Sequence, residues 1–395
     1  MEHYLDNSAT TKPSTAALDA MNRAAEIWGN PSSVHGLGQK AAILLRDSRA
    51  AVAKALGMPK FGADKLIFTS CGTESNNIAM TGTAFSKKRN PNNPGTIVIS
   101  AGEHPSISGP AAFLQSFGYD VVTVPTAEGI LDAEYLRAAL CEVKSPVIFA
   151  AFMLVNNETG ALYDVKSAAA AVKAKFPDAT VHCDAVQGFL KTTATPYSLG
   201  VDTMSVSAHK IHSIRGAGAL FISGNVIKRK NITAVMPGGG QENAIRSGTE
   251  NLVSIAAFAA AAEEGREKLS SNTEKTAGLR AMFERALSEK LAPLGYSINK
   301  PAGKYLANII SVNLPDIRSE TMLNYLSGRD IYVSAGSACA ANSKKKSAAL
   351  EAFGLSESKA DSVIRVSLSY MNTEDDISAL TDALADGAKT LQRKR

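Results

Sequence analysis

Between residues 66 and 222 the sequence alternates short apolar, β-rich runs with amphipathic stretches, and this alternation narrows the fold more than any other feature. Residues 66–69, Thr96–Ser100, Asp120–Val124, Val147–Met153, 180–183, Thr203–Ser207 and Gly218–Ile222 read as strands. Amphipathic segments at 39–56 (stopped by Gly57), 76–88 and Val165–Lys175 read as helices among them. Strands separated by helices pair in parallel, because a parallel connection has to cross over the sheet. The pattern therefore predicts an α/β fold with a mainly parallel sheet covered on both faces. Ligands of such sheets sit beyond the carboxyl ends of the strands. An alanine-rich helix at 253–269 and a helix after Asn272 lead out of this unit. Strands near 308–313, 331–333 and 363–368 then predict a smaller α+β domain. The expected organisation is an N-terminal segment (1–15) packing with the small domain, a large domain over 16–255 and a small C-terminal domain over 256–395.

Composition agrees with two unequal domains. The chain has 395 residues, 45% of them apolar, so a sizeable core is expected. No apolar run approaches the roughly 18–20 residues of a membrane span; the alanine-rich run 255–262 is short. The start, Met1-Glu-His-Tyr-Leu-Asp6, has neither a basic region nor an apolar core, so no secretory signal is expected. Cys71, Cys141, Cys183 and Cys339 are far apart and form no Cys-x-x-Cys pair. That usage points to a reducing cytoplasm and to thiols that are reactive rather than bridged. The net charge is +5, and Lys344-Lys345-Lys346 and Arg393-Lys394-Arg395 are tight basic clusters. Without interleaved aromatics they read as solvated faces that can steer an acidic protein partner or an RNA-bound one. Direct nucleic-acid binding is not expected.

The chemistry begins at Ser207-Ala-His-Lys210, just past one strand, with Asp184 and Gln187 just past another in His182-Cys-Asp-Ala-Val-Gln187. A lysine beyond a strand end can form an imine with an aldehyde cofactor. A carboxylate at a neighbouring strand end can hold a pyridine nitrogen protonated. Together they are the minimum that a pyridoxal 5'-phosphate (PLP) enzyme needs, since the protonated ring is the electron sink for a carbanion. The plainer alternative is a surface lysine and an ordinary strand-end aspartate.

Four further segments sit at strand ends. Phe68-Thr-Ser-Cys-Gly-Thr-Glu-Ser75 reads as a strand that breaks into a small-residue loop and a helix starting near Thr73. Backbone N–H groups at such a turn, with the helix dipole, make an anion site in which Gly72 lets the backbone approach. An ordinary capped helix has the same pattern. His104, in Gly102-Glu-His-Pro-Ser106, is placed to lie on an aromatic ring, or is a satisfied core histidine. Asn157, in Asn156-Asn-Glu-Thr-Gly160, suits a substrate contact or a hydrogen-bonded turn. Arg246-Ser-Gly-Thr249 follows Gly238-Gly-Gly240 and can carry donors to a phosphate, or be a turn before a helix.

In number and order these segments resemble the cysteine desulfurases of the NifS/IscS type, class V aminotransferase-like PLP enzymes of fold type I. The resemblance also covers Tyr4-Leu-Asp-Asn-Ser-Ala-Thr-Thr11, Gly29-Asn-Pro-Ser-Ser-Val-His35, Ser334-Ala-Gly-Ser-Ala-Cys339 and Ile364-Arg-Val-Ser367. It implies that Lys210 carries the cofactor and moves the proton at the substrate Cα. It further implies that Asp184 pairs with the ring nitrogen, Gln187 contacts the ring hydroxyl, and His104 stacks on the ring and takes a proton from the substrate thiol. Thr73, Ser207 and His209 would hold the phosphate, joined by Thr249 of the partner subunit in a homodimer. Asn157 and Arg365 would clamp the substrate carboxylate, for which an arginine fork is suited.

Cys339 carries the substrate-level expectation. It stands in Gly336-Ser-Ala-Cys-Ala-Ala-Asn342, small residues followed by three lysines, which reads as an exposed loop where positive charge favours the thiolate. The resemblance marks it as the nucleophile that accepts sulfur from L-cysteine as a persulfide, leaving L-alanine. A sulfur-acceptor protein in iron–sulfur cluster, tRNA or thiamine thiolation would follow. Cys71, Cys141 and Cys183 read as structural. The family commonly has glycine or alanine at Cys71, and more often Gly-Pro-Lys-Gly where this chain has Ile211-His-Ser-Ile-Arg215-Gly. An aminotransferase or a selenocysteine lyase is the rival within PLP chemistry. A metal hydrolase built on His182, Asp184, His209 and His212, or a scaffold without activity, are the rivals outside it. No metal is expected, because that spacing matches no standard zinc signature.

Overall fold

The computed structural model describes residues 2–59, 63–87, 94–336 and 347–391. Its strands in chain order are β1 (His3–Tyr4), β2 (Lys65–Thr69), β3 (Thr96–Ser100), β4 (Asp120–Val124), β5 (Val147–Met153), β6 (Thr180–Asp184) and β7 (Thr203–Ser207). They continue as β8 (Gly218–Ile222), β9 (Ser297–Ile298), β10 (Ile309–Asn313), β11 (Ile331–Tyr332), β12 (Ser334–Ala335) and β13 (Val363–Ser367). Seven of them form one sheet in the order β2-β8-β7-β6-β5-β3-β4. β3, β5, β6, β7 and β8 are buried along their whole length, which is why they read as unbroken apolar runs rather than as alternating ones.

One strand departs from the parallel pattern. β8 pairs antiparallel with both β7 and β2, in a register that sets Ser207 against Gly218 and Thr69 against Gly218. Only residues 208–217 join β7 to β8, too few for the dozen or more that a parallel crossover needs. The chain must turn back at once, and Lys210 lies in that turn.

The sheet packs against helices whose cores contain Phe68, Phe152, Val181 and Phe258 on one side and Ile67, Met80, Ile107 and Phe149 on the other. The helix Leu252–Glu267 is almost all apolar in its first three turns because it is buried against the helices Thr15–Ala25 and Gly36–Ala55. The next helix starts earlier than expected, at Leu269, and turns Leu279 and Phe283 into a separate core. That second core lies on an antiparallel sheet, β12-β13-β10-β9, and includes Ile310, Val312, Ile364, Val366 and Leu384.

The first residues join the two parts. β1 pairs with β11, and Asp6 bridges to Ser367 in β13. Further along the segment, Thr11 N–H donates to the His209 carbonyl at 2.9 Å and Ser14 N–H to the His212 carbonyl at 2.8 Å. The unusual Ile211-His-Ser-Ile-Arg215 stretch is docked here: His212 takes a positive φ of 65° and its N–H donates to Thr11 Oγ1 at 2.7 Å.

The cysteines do not share one environment. Cys183 is fully buried in β6, as a structural residue should be. Cys141 is exposed, because its helix Ala133–Glu142 buries Leu136 and Leu140 instead. Cys71 is half-buried at the mouth of the loop after β2 and lines a cavity. The structural reading fails for Cys141. Cys339, like Lys344-Lys345-Lys346, lies outside the described residues.

Candidate active site

A cavity of about 260 Å³ opens at the carboxyl ends of the parallel strands. Gly72, Thr73, His104, Asn157, Asp184, Gln187, Ser207, His209, Lys210 and Arg365 all line it. The structure thus brings together ten residues that lie up to 293 positions apart in sequence (365 − 72). Thr249 is exposed and does not line it.

The floor is set by strand ends. Asp184 is the last residue of β6, between Met153 of β5 and Ser205 of β7. Its Oδ2 accepts from Asn76 Nδ2 at 2.8 Å and its Oδ1 from Val186 N–H at 3.0 Å. At one side the helix Gly72–Lys87 points its amino end at the cavity. A Cβ on Gly72 would come within 2.6 Å of Val186 Cγ2, so only glycine permits this approach. Ser207 Oγ, at the end of β7, is buried with no hydrogen-bond partner and lines the same space. Buried hydroxyls are rarely left so, and an orphan donor beside a helix amino end is what an anionic group would satisfy.

His104 caps the helix Pro105–Gln115, with proline at the first helical position. Its Nδ1 accepts from Ser106 N–H at 3.1 Å and lies 2.8 Å from Ser106 Oγ. Burial holds its pKa below the usual range, against the pull of Asp184 and with the push of Lys210. His209 is lowered to about 4, first by burial and then by Lys210, Lys191 and Arg215. Both rings are therefore neutral at physiological pH.

Lys210 ends a single 3₁₀ turn after β7. Its Nζ donates to the carbonyls of Ser8 and, at 2.8 Å, Ala9. Gln187 Nε2 donates to the same Ser8 carbonyl at 2.9 Å, and Gln187 Oε1 accepts from Lys191 Nζ at 3.2 Å. Arg365 enters from β13: Nη2 pairs with Asp6 Oδ1 at 2.7 Å and Nη1 donates to the Asn157 carbonyl at 3.0 Å. Its Nε is buried and without a partner.

Sequence reasoning missed two kinds of contributor. Asn76, Ser106 and His182 form a buried network under Asp184. Their signals were present: an asparagine one turn inside a helix, where it is a poor former, and a histidine inside an apolar strand. The Ser8 and Ala9 carbonyls gave no signal, since backbone atoms carry none. His182 and His212 serve other partners, Asn76 and the Lys12 carbonyl. Among the described residues no group of three or more His, Cys, Asp or Glu side chains is arranged to hold a metal ion.

A carboxylate at a β-strand end, an amine in the following turn and an anion cradle between them define a PLP-type site of fold type I. The chain belongs to the class V aminotransferase family, whose model matches residues 3–380, and within it to the NifS/IscS-type cysteine desulfurases. It is 37% identical over 384 residues to a NifS/IcsS protein homolog of Lactobacillus delbrueckii subsp. bulgaricus, covering 94% of this chain and 93% of that one. It is 33% identical to cysteine desulfurase IscS of Dictyoglomus turgidum, over 97% of this chain and 93% of that one. A solved structure of a NifS-like protein superposes with a TM-score of 0.88 at 33% identity, covering 99% of this chain and all of that one. PLP is the family's cofactor, and the orphan Ser207 hydroxyl, the Gly72 cradle and the Lys210–Asp184 pair fit it.

Proposed function

We propose that this protein is a PLP-dependent cysteine desulfurase that converts L-cysteine to L-alanine and passes the sulfur to Cys339 as a persulfide. The observation that carries the reading is the convergence of Lys210, Asp184, His104 and Arg365 on one cavity in a chain of this family. PLP, when bound, supplies an electron sink that makes the Cα–H and then the Cβ–S bond of cysteine labile.

The protein's own groups do the rest. Asp184, held by Asn76 and Val186 N–H, places a fixed negative charge where a ring nitrogen would sit. Ser207, Thr73 and the first N–H groups of the Gly72–Lys87 helix would hold the phosphate. His209 assists as a neutral ring, and Thr249 of the partner subunit completes the cradle in a homodimer. Arg365 Nε and Asn157 receive the substrate carboxylate. Lys210, whose Nζ rests on the Ser8 and Ala9 carbonyls, is the amine that would hold the cofactor and would carry the Cα proton. Cys339 thiolate then attacks the substrate sulfur: an S–S bond forms as the Cβ–S bond breaks, and the electron pair stays with the carbon that ends as alanine. No outside oxidant is needed.

The persulfide is handed to an acceptor protein for iron–sulfur cluster, tRNA or thiamine thiolation, in the cytoplasm. Among the described residues no helix is long and apolar enough to cross a membrane.

Cys339→Ser tests the sulfur step. The variant keeps every cavity residue, so the visible band of the bound cofactor and its change on adding cysteine should survive. Alanine release and the added sulfur on the Cys339 peptide, read by mass spectrometry, should both be lost, because a serine hydroxyl is essentially un-ionised near neutral pH. Unchanged alanine release, or sulfur on Cys71 instead, would replace this reading with an aminotransferase or a lyase.

A further inference from the structure

One buried asparagine joins the two sides of the site. Asn76 lies one turn into the Gly72–Lys87 helix with no exposed surface. Its Nδ2 is 2.8 Å from Asp184 Oδ2 and 2.8 Å from Ser106 Oγ, and its Oδ1 is 2.9 Å from His182 Nε2. A carboxylate only accepts, so the NH₂ group faces Asp184 and the carbonyl oxygen faces His182. His182 must then donate from Nε2, and its Nδ1 accepts from the Thr203 hydroxyl at 2.9 Å. Burial lowers the His182 pKa to about 3, so the neutral ring has one proton and this arrangement uses it.

The same logic runs on to His104. Ser106 Oγ is an acceptor for Asn76, so its own hydrogen goes to His104 Nδ1, 2.8 Å away. The Ser106 backbone N–H reaches that nitrogen too, at 3.1 Å. Two donors meet at Nδ1, and a neutral imidazole has a single proton, which is left on Nε2.

We propose that Asn76 is a positioning residue that sets the protonation of His104 through Ser106, making His104 a hydrogen-bond donor to the cavity from Nε2. His104 then receives the substrate sulfur as a thiolate whose proton has already gone to solvent, and is not the base that takes the thiol proton, contrary to the expectation from the resemblance. The substrate part of this inference rests on the desulfurase reading; the tautomer does not.

Long-range proton–nitrogen NMR on histidine-labelled holoenzyme reads the tautomer directly, with His104→Gln to assign the signals. The expected result is a bare Nδ1 and a protonated Nε2. Asn76→Ala should release the Ser106 hydroxyl and raise the midpoint at which Nδ1 takes a proton. In a Ser106→Ala background the same change should move His104 less, leaving only what reaches it through Asp184. Ser106→Ala alone should also raise that midpoint, because Nδ1 loses a donor that favours the neutral ring, and it serves if Asn76→Ala does not fold. A protonated Nδ1 in the parent, or a midpoint unmoved by Ser106→Ala, overturns the proposal. So does an Asn76→Ala effect that is the same with and without Ser106. None of these outcomes touches alanine production by the parent enzyme, whose absence would sink the desulfurase reading alone.

Discussion

The cavity has two walls built on different terms. The wall formed by the large sheet is, Ser207 apart, paired from within: Asp184, Asn76, His182, Thr203 and Ser106 satisfy one another over distances of 2.8–2.9 Å. The wall formed by the N-terminal segment and β13 is held by contacts that chemistry must exchange. There Lys210 rests on the carbonyls of Ser8 and Ala9, Arg365 rests on Asp6 and the Asn157 carbonyl, and Arg365 Nε is unmatched. Preorganised groups stabilise a charge without moving. Groups that bind, release and carry protons need partners they can leave. The fixed wall is where the ring's electronics are set, and the exchangeable wall is where substrate is handled.

The largest effect should come from the exchangeable wall. Lys210→Ala is expected to abolish turnover and the visible imine band, even where some cofactor stays bound; alanine production near the parental rate would show that another group does this work. Asp184→Asn keeps the shape of the fixed wall and removes its charge. A loss of at least ~100-fold in rate is expected, on the scale of large electrostatic contributions in active sites. A loss of only a few-fold would mean that Asp184 is not the ring's partner. Arg365→Lys should act on substrate rather than on cofactor. We expect a KM for cysteine raised about 10-fold, since a point charge replaces a planar fork, with the cofactor spectrum unchanged.

The smallest effect is on stability, and it has opposite signs at the two ends of the pH scale. His182 is depressed from 6.5 to about 3 by burial. Its contribution is fully present above pH 6.5 and is lost as pH falls toward 3. Glu103 is pushed up from 4.5 to about 8, by burial first, with Ser100 and the Met153 N–H opposing and Asp184 adding to the rise. Its contribution is present below pH 4.5 and fades as pH rises through 8. Thermal unfolding followed from pH 4 to 9 should show both limbs. Glu103→Gln should flatten the alkaline limb and leave the acid one; an unchanged alkaline limb would place the charge elsewhere.

Much of this was legible in the sequence because it rests on local pattern. Strands buried on both faces declare themselves as apolar runs, and helices by their amphipathic period, so the sheet and its ligand edge followed from 66–222 alone. What was not legible depends on length or on backbone atoms. The reversal of β8 follows from the shortness of 208–217, which a strand pattern does not weigh. The seat of Lys210 is made of two carbonyls from residues 8 and 9, and any sequence would offer those. Asn76 and His182 were visible as residues out of place, but their meaning needed the 2.9 Å contact between them. Cys141 looked structural beside apolar neighbours because only the helix rotation tells which side faces water.

The stitching of residues 3–14 to both parts has a consequence for how the protein is made. Asp6 finds Arg365 and Asn7 finds the Ser367 carbonyl across 359 and 360 positions respectively. At about 5–20 residues per second, a ribosome delivers those partners tens of seconds after the segment itself has emerged. Contacts of such span are also among the slowest to close. In the last part of that interval, once residue 222 has been made, the large sheet can be assembled and Lys210 already in its turn, while the β13 partners of the first residues are not yet made. A nascent chain stalled before β13 should therefore take up pyridoxal phosphate poorly or in the wrong geometry, making cofactor loading one of the last events in the birth of the enzyme.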